Sequence, residues 1–413
     1  MGANTASLRQ LFETAVAAVS PQSCMTGVLN ALPDGDLVVI GAGKAAASMA
    51  FEVEKRKPGE VSGLVIVPYG HGVTCVHVEV VEAAHPIPDH AGVAAARRML
   101  ELASRLSESE QVLCLFSGGG SSLMTLPAYG ITLADQQAVT RALLDSGARI
   151  GEINCVRKHL SVIKGGRLAA ACWPARIKTL LISDVPGNDV SVIASGPTVH
   201  DNTTPGLALE VLHRYSIDLP DSIRSVLENP ALVNKDFVED VTIVATSDNA
   251  IAAAMRLAHS RNYGTINLGD LEGDARELAV THADLAKQVA AGTSPLVAPL
   301  VILSGGETTV EVRGSGRGGR NSEYALALAI GLDGHPKISA IACDTDGIDG
   351  TGDNAGCLVL PDTLARASGL SMDAFAYQAN NDSYNFFAAL DELVVTGPTR
   401  TNVNDFRAIV IER

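Results

Sequence analysis

Several stretches of this chain place residues able to handle anions and protons just behind short apolar runs. The first, Gly41-Ala42-Gly43-Lys44-Ala45-Ala46, opens a helical pattern, so a lysine stands where free N–H groups and the helix dipole favour negative charge. Its spacing satisfies the G-x-G-x-x-A fingerprint of dinucleotide sites. The acidic residue that such sites carry about 20 positions further on is missing, because Pro68-Tyr69-Gly70 holds that place. A Walker P-loop is excluded by Val38 at its first glycine position and Ala45 after the lysine. A surface lysine beside an ordinary tight turn fits the same spacing. The second stretch, Ser117-Gly118-Gly119-Gly120-Ser121-Ser122, lets the backbone fold into a concave array of N–H donors. Ser121 and Ser122 add hydroxyls or cap the next helix. The plainer alternative is a flexible turn. No G-x-S-x-G elbow marks this segment as a hydrolase nucleophile.

Acid–base and phosphate chemistry could come from three further segments. Ser183-Asp184-Val185-Pro186-Gly187-Asn188-Asp189 sets two carboxylates beyond a strand, with Ala194-Ser195-Gly196-Pro197-Thr198 soon after. A buried carboxylate there could accept a hydroxyl proton or hold Mg²⁺ through water; Asx-turn and capping chemistry uses the same residues. Arg313-Gly-Ser-Gly-Arg317-Gly-Gly-Arg320-Asn321 is the dense basic, glycine-rich segment of an otherwise acidic chain, suited to gripping phosphate, with a solvated hinge as its alternative. Asp344-Thr-Asp346-Gly-Ile-Asp349-Gly-Thr-Gly-Asp353-Asn354 gathers carboxylates that could bind a hard cation or cap turns. It is no EF-hand, since Ile348 occupies a ligand position. A shorter echo of the triple-glycine loop, Ser304-Gly305-Gly306-Glu307-Thr308-Thr309, follows another apolar run.

The elements that must position these residues alternate. Leu37 to Ile40, Leu64 to Val67, Val76 to Val81, Val112 to Phe116 and Thr179 to Ile182 read as buried strands. Lys44 to Glu54, Ala91 to Leu106 and Ala134 to Leu144 read as helices. That alternation predicts α/β architecture with a largely parallel sheet, whose ligands sit at the carboxyl ends of the strands. A cluster of Asn, Pro, Lys and Asp at 229–236 suggests a boundary. Beyond it a second α/β series runs through strands Thr242 to Ala245, Pro299 to Leu303 and Ile338 to Ala342, a hairpin-like strand Thr308 to Val312, and helices Asn249 to Arg261, Asp274 to Ala291 and Ser322 to Ile330. The length of 413 residues suits two domains. The 46 acidic against 31 basic residues, a net charge of -15, argue against nucleic acid and anionic membranes as partners and require a locally basic pocket for any anionic substrate. Seven scattered cysteines without a C-x-x-C pair fit a reducing cytoplasm. The uncharged run 112–134 is broken by Gly118 to Gly120 and Pro127, so it reads as strand, loop and turn rather than a membrane span, and 7–19 as an amphipathic stretch with no signal region.

Taken in order, these segments resemble the class II glycerate 2-kinases, which carry a C-terminal MOFRL domain and whose relatives are also labelled hydroxypyruvate reductases. The likeness runs nearly end to end. It includes Lys158-His159-Leu160-Ser161 with Gly165-Gly166-Arg167, beside the segments above. It implies a larger Rossmann-like domain (1–236), a smaller α/β domain (237–413, with the MOFRL region at about 298–405), an active site in the cleft between them, and phosphorylation of D-glycerate at C2 by ATP with Mg²⁺. Carried over by motif, Lys44, Asp189 and Arg320 are the catalytic expectation. Gly41, Gly43, Ser117, Gly118, Gly119, Gly120, Ser121, Ser122, Asn188, Gly305, Gly306, Glu307, Thr308, Arg317 and Asn321 are expected to bind substrate or nucleotide, and Asp346 to contact metal. Ser322, where relatives often carry Gln after Asn, reads as a peripheral departure. A homodimer stays open. Two rival functions remain: a nicotinamide-dependent hydroxypyruvate reductase, and a nonenzymatic nucleotide or sugar-acid binding module.

Overall fold

The computed structural model describes residues 3–32, 34–57, 59, 61–230, 233 and 236–413. They form two compact units, one of Met25–Val244 and one joining Met1–Cys24 to Ala245–Arg413. Part of the boundary expected at 229–236 (231, 232, 234 and 235) lies outside the described residues. The opening helix Ala3–Ala18 belongs to the second unit, where Arg261 donates to the Ser7 hydroxyl at 2.7 Å.

In the first unit a six-stranded parallel sheet is built from β1 (Leu37–Ala42), β2 (Val61–Pro68), β3 (Val78–Ala83), β4 (Gln111–Phe116), β5 (Arg176–Ile182) and β6 (Val241–Ala245), in the order β3-β2-β1-β4-β5-β6. The central β1 is buried at every position and β4 at all but its first, which is why they read as unbroken apolar runs rather than alternating ones. Strand order reverses between β1 and β4, so the crevice at their carboxyl ends is the topological switch point. Helices Ala46–Arg56 and His90–Ala103 cover the sheet with largely alanine faces that allow close approach. A satellite core joins helices Leu133–Asp145, Ile150–His159, Pro205–Arg214 and Asp221–Glu228 through Val139, Leu143, Val156, Val211 and Ile223. The first of these helices starts on a reciprocal capping box between Thr132 and Asp135, which fixes its register.

The second unit holds a mixed sheet. Its strands are β7 (Gly264–Asp270), β9 (Leu300–Gly305), β11 (Ile338–Asp344), β12 (Gly356–Val359), β13 (Leu393–Val394) and β14 (Asp405–Ile411), in the order β13-β12-β11-β14-β9-β7. Only β7 and β9 run parallel. The expected hairpin-like strand at 308–312 is instead a two-residue strand, β10 (Thr308–Thr309), pairing in parallel with β8 (Gly273–Asp274). The alternation Val310-Glu311-Val312 that suggested a longer strand finds no strand partner beyond Thr309 among the described residues. Helix Arg320–Leu332 is buried along nearly its whole length against this sheet. Among the described residues, no helix is long and apolar enough to cross a membrane.

Candidate functional site

At the switch point of the first unit, the loops after β1, β4 and β5 interlock. The Lys44 amide donates to the Gly118 carbonyl at 2.9 Å, the Ala45 amide to the Ser117 hydroxyl at 2.9 Å, and the Ser117 amide to the Ala42 carbonyl at 3.2 Å. Two glycines make this possible. A Cβ on Gly43 would lie 2.3 Å from the Ser117 hydroxyl oxygen, and one on Gly120 would lie 2.8 Å from the Ala42 carbonyl oxygen. The room beside Gly43 is therefore filled by Ser117, whereas in a dinucleotide site the corresponding glycine admits the pyrophosphate. Lys44 is half-buried in this turn, two residues ahead of helix Ala46–Arg56.

The triple-glycine loop holds the unbonded backbone donors of this crevice. Among the described residues the amides of Gly118 and Gly119 find no acceptor, and Gly119 takes a left-handed φ of 80°. Such a pair of free N–H groups beside a lysine is suited to oxyanions. Ser121 bonds the Ser195 hydroxyl at 2.7 Å, while Ser122 donates to the Gly119 carbonyl at 3.1 Å. Ser195 belongs to a left-handed run, Ala194, Ser195 and Gly196, with φ of 51°, 63° and 56°. Two non-glycine residues held in that region mark a strained loop, a feature that concentrates at functional sites. His85, half-buried after β3, also reaches this loop, since its ring lies 2.9 Å from where a Gly119 Cβ would stand. Sequence reading passed over His85, whose only signal is its place just past a strand.

Asp189 departs from the buried carboxylate expected of it. It is exposed, and its side chain accepts from the Ser191 amide at 2.8 Å, while Asn188 sits at a left-handed φ of 57°. After β5 the chain makes a single 3₁₀ turn, Pro186–Asn188, with Gly187 at a left-handed φ of 75°, before it reaches Asp189. The nearer Asp184 is half-buried.

In the second unit the structure gathers most of the other expected residues around one guanidinium. Arg320, at the first position of helix Arg320–Leu332, donates to Asp405 and Asp344 at 2.8 Å each and to Glu307 at 2.5 Å. Burial alone would depress this guanidinium, but Asp405, Asp344 and Glu307 outweigh it and hold it firmly charged. Asp405, the first residue of β14, also receives the Asn321 amide nitrogen at 2.7 Å and Arg407 at 2.5 Å. Arg407 continues to the Gly305 carbonyl at 2.8 Å and the Thr308 hydroxyl at 3.2 Å, and Gly306 accepts from the Asp405 amide. Arg317 lies apart on the surface, its guanidinium 3.7 Å over the Tyr384 ring.

The acidic loop after β11 largely serves the backbone. Asp349 caps helix Arg320–Leu332, accepting the Asn321 and Ser322 amides at 2.9 and 2.8 Å. Burial raises its carboxyl above the ordinary range against the pull of those hydrogen bonds. Asp346 is buried and accepts the Ile348 amide at 2.8 Å. Ser322 proves far from peripheral. It is fully buried, donates to Asp349 at 2.5 Å and receives Asn354 at 3.2 Å, so a longer side chain there would have to displace this network. Among the described residues, no group of three or more His, Cys, Asp or Glu side chains is arranged to hold a metal ion.

Comparison with known proteins gives a consistent picture. Residues 7–228 match a family described as a domain of unknown function, DUF4147, and residues 300–405 match the MOFRL family. A Thermotoga maritima protein named D-glycerate 2-kinase is 39% identical over 96% of this chain and 95% of its own length. An Agrobacterium vitis protein under the provisional name of hydroxypyruvate reductase is 47% identical over 98% of this chain and 94% of its own. The crystal structure of glycerate kinase from Thermotoga maritima superimposes with a TM-score of 0.89 at 37% identity, covering 98% of this chain and 99% of that one.

Proposed function

The chain belongs to the MOFRL-domain glycerate kinase family, and from that premise we propose that it transfers the γ-phosphoryl group of ATP to the C2 hydroxyl of D-glycerate. In this reaction the hydroxyl gives its proton to a base and its oxygen bonds to the γ-phosphorus. The bond from phosphorus to the β–γ bridging oxygen breaks, leaving 2-phosphoglycerate and ADP. The observation that carries this reading is the crevice between β1 and β4, where the free amides of Gly118 and Gly119 stand beside Lys44. Fixed donors of this kind stabilise charge spread over phosphoryl oxygens without reorganising during the reaction.

Lys44 supplies positive charge to the transferring group, and the exposed Asp189 accepts the hydroxyl proton. In the second unit, Arg320 is a fixed guanidinium whose direction its three carboxylates set. Among the described residues, no group of side chains forms a protein cage for Mg²⁺. The ion suits arrival on the nucleotide phosphates, keeping most of its water. A reductase reading has less support, because the turn after β2 offers no free carboxylate to a ribose. Glu82, beside that turn, already accepts the Gly70 and Gly72 amides at 3.1 Å each.

The test is product analysis by ³¹P NMR after incubation with ATP, Mg²⁺ and D-glycerate. Phosphate at C2 is expected; phosphate only at C3, full activity in excess chelator, or oxidation of NADPH on hydroxypyruvate instead would overturn the reading. Lys44→Ala should lower kcat by about 10²- to 10³-fold with an unchanged melting temperature. Asp189→Asn should cost about 10²-fold in kcat, and an unchanged kcat would reduce Asp189 to the turn cap that its Ser191 bond describes.

A further inference from the structure

Helix Leu133–Asp145, helix Ile150–His159 and the segment following β3 enclose a cavity of about 360 Å³ in the first unit. One face of helix Leu133–Asp145 forms a wall, since its lining residues recur at helical spacing. Three cations line the cavity, Lys164, Arg157 and Arg141, and none of its lining residues is acidic. In a chain of net charge -15, that local excess of positive charge requires a reason.

The decisive member is Lys164. It is 1% exposed, and among the described residues its ammonium makes no hydrogen bond or ion pair, nor do the guanidinium groups of Arg157 and Arg141. Other buried cations of this protein are matched: Lys158 by Asp201 at 3.4 Å, Arg407 by Asp405 at 2.5 Å. An unmatched buried cation is costly, so such a group either sheds its proton or is matched by an anion from outside the chain. Burial, and then the neighbouring Arg157, push the Lys164 ammonium well below its usual range, a penalty that an entering anion would reverse.

The backbone around Lys164 is fixed, not loose. The Arg167 guanidinium donates to the Lys164 carbonyl at 3.0 Å, and the Gly165 and Gly166 amides donate to Ser195 and Gly196 of the left-handed run at 3.1 and 2.8 Å. Thr125, also on the cavity wall, donates to the Ser122 carbonyl at 2.7 Å, so the cavity adjoins the triple-glycine loop. We propose that this cavity seats the carboxylate or phosphate group of a small organic acid, with Lys164 and Arg157 as the binding cations and the exposed Arg141 at its mouth. The seat does not depend on the phosphoryl-transfer reading, because it rests on cations that the proposed chemistry leaves unused.

The full-length protein without nucleotide tests this by calorimetry and thermal shift with D-glycerate and, separately, inorganic phosphate. At least one should bind and raise the melting temperature. D-glycerate alone identifies a carboxylate seat, phosphate alone a phosphate seat, and both a shared one. Lys164→Met and Arg157→Gln should each weaken that binding at least tenfold and abolish the shift. Circular dichroism checks their fold, and Arg157→Gln, only half-buried, keeps the test alive if Lys164→Met misfolds. Absence of binding by either anion, or equal affinity in a folded variant, overturns the seat. If glycerate binding depends on Lys164 but no phosphorylation occurs, the proposed reaction falls and the seat stands. If phosphorylation proceeds with unchanged KM for glycerate in both variants and neither anion's affinity falls, the seat falls and the reaction stands.

Discussion

Arg320 and Lys164 are both cations set into the protein interior, and their surroundings are opposite. Arg320 meets three carboxylates, and Asp405 among them also serves Arg407 and Asn321. Among the described residues Lys164 meets none, and the charges lining its cavity share its sign. The first arrangement is complete in itself: each charge offsets the desolvation of another, which is how buried ions usually survive. The second is incomplete, which is the condition of a site awaiting a ligand. Burial of a charged residue is therefore not informative alone; whether its partners are in the chain separates scaffold from receptor.

The largest effect expected from breaking this contrast is at Asp405. Asp405→Ala leaves Arg320, Arg407 and Asn321 short of a shared acceptor, and chemical denaturation should show a loss of about 3–5 kcal/mol. A loss below about 1 kcal/mol would mean that the network relaxes and is not the self-completing cage described. Asp349→Asn should come next. It keeps the shape but weakens two backbone caps and the Ser322 bond, costing about 1–3 kcal/mol in the same assay. Lys164→Met should go the other way, leaving stability in anion-free buffer equal or higher by up to about 1 kcal/mol, since an unpaired polar group is replaced by an apolar one of similar length. A marked loss there would show that Lys164 has a structural partner after all. Glu307→Gln should matter least, within about 1 kcal/mol, because that member of the Arg320 cage is half exposed and screened by solvent.

Much of the scaffold was legible in the residues alone. β1, β2, β4, β5 and the helices between them appear as apolar runs and 3.6-residue patterns, because strands buried on both faces and one-sided helices leave those traces directly in sequence. The glycine loops at 41–43 and 118–120 were also visible, as was Lys44 between a strand and a helix. β14 was not. Asp405 and Arg407 interrupt its run, and they are tolerated in a central strand only because they pair with each other and with Arg320.

What the sequence determined, then, is where backbone must be buried and where it must turn tightly, since both are local demands on residue type. The tertiary structure alone decided which charges are satisfied. Arg320 stands 85 positions from Asp405, and the motif that suggested a free phosphate clamp contains nothing of the carboxylates that hold it. Ser322 read as a peripheral departure until its neighbours Asp349, Asn354 and Cys357 closed around it. The solitude of Lys164 lies furthest from view, because a missing partner leaves no residue to read. It emerges only when folding has brought Arg157 and Arg141 to the same wall and no carboxylate with them.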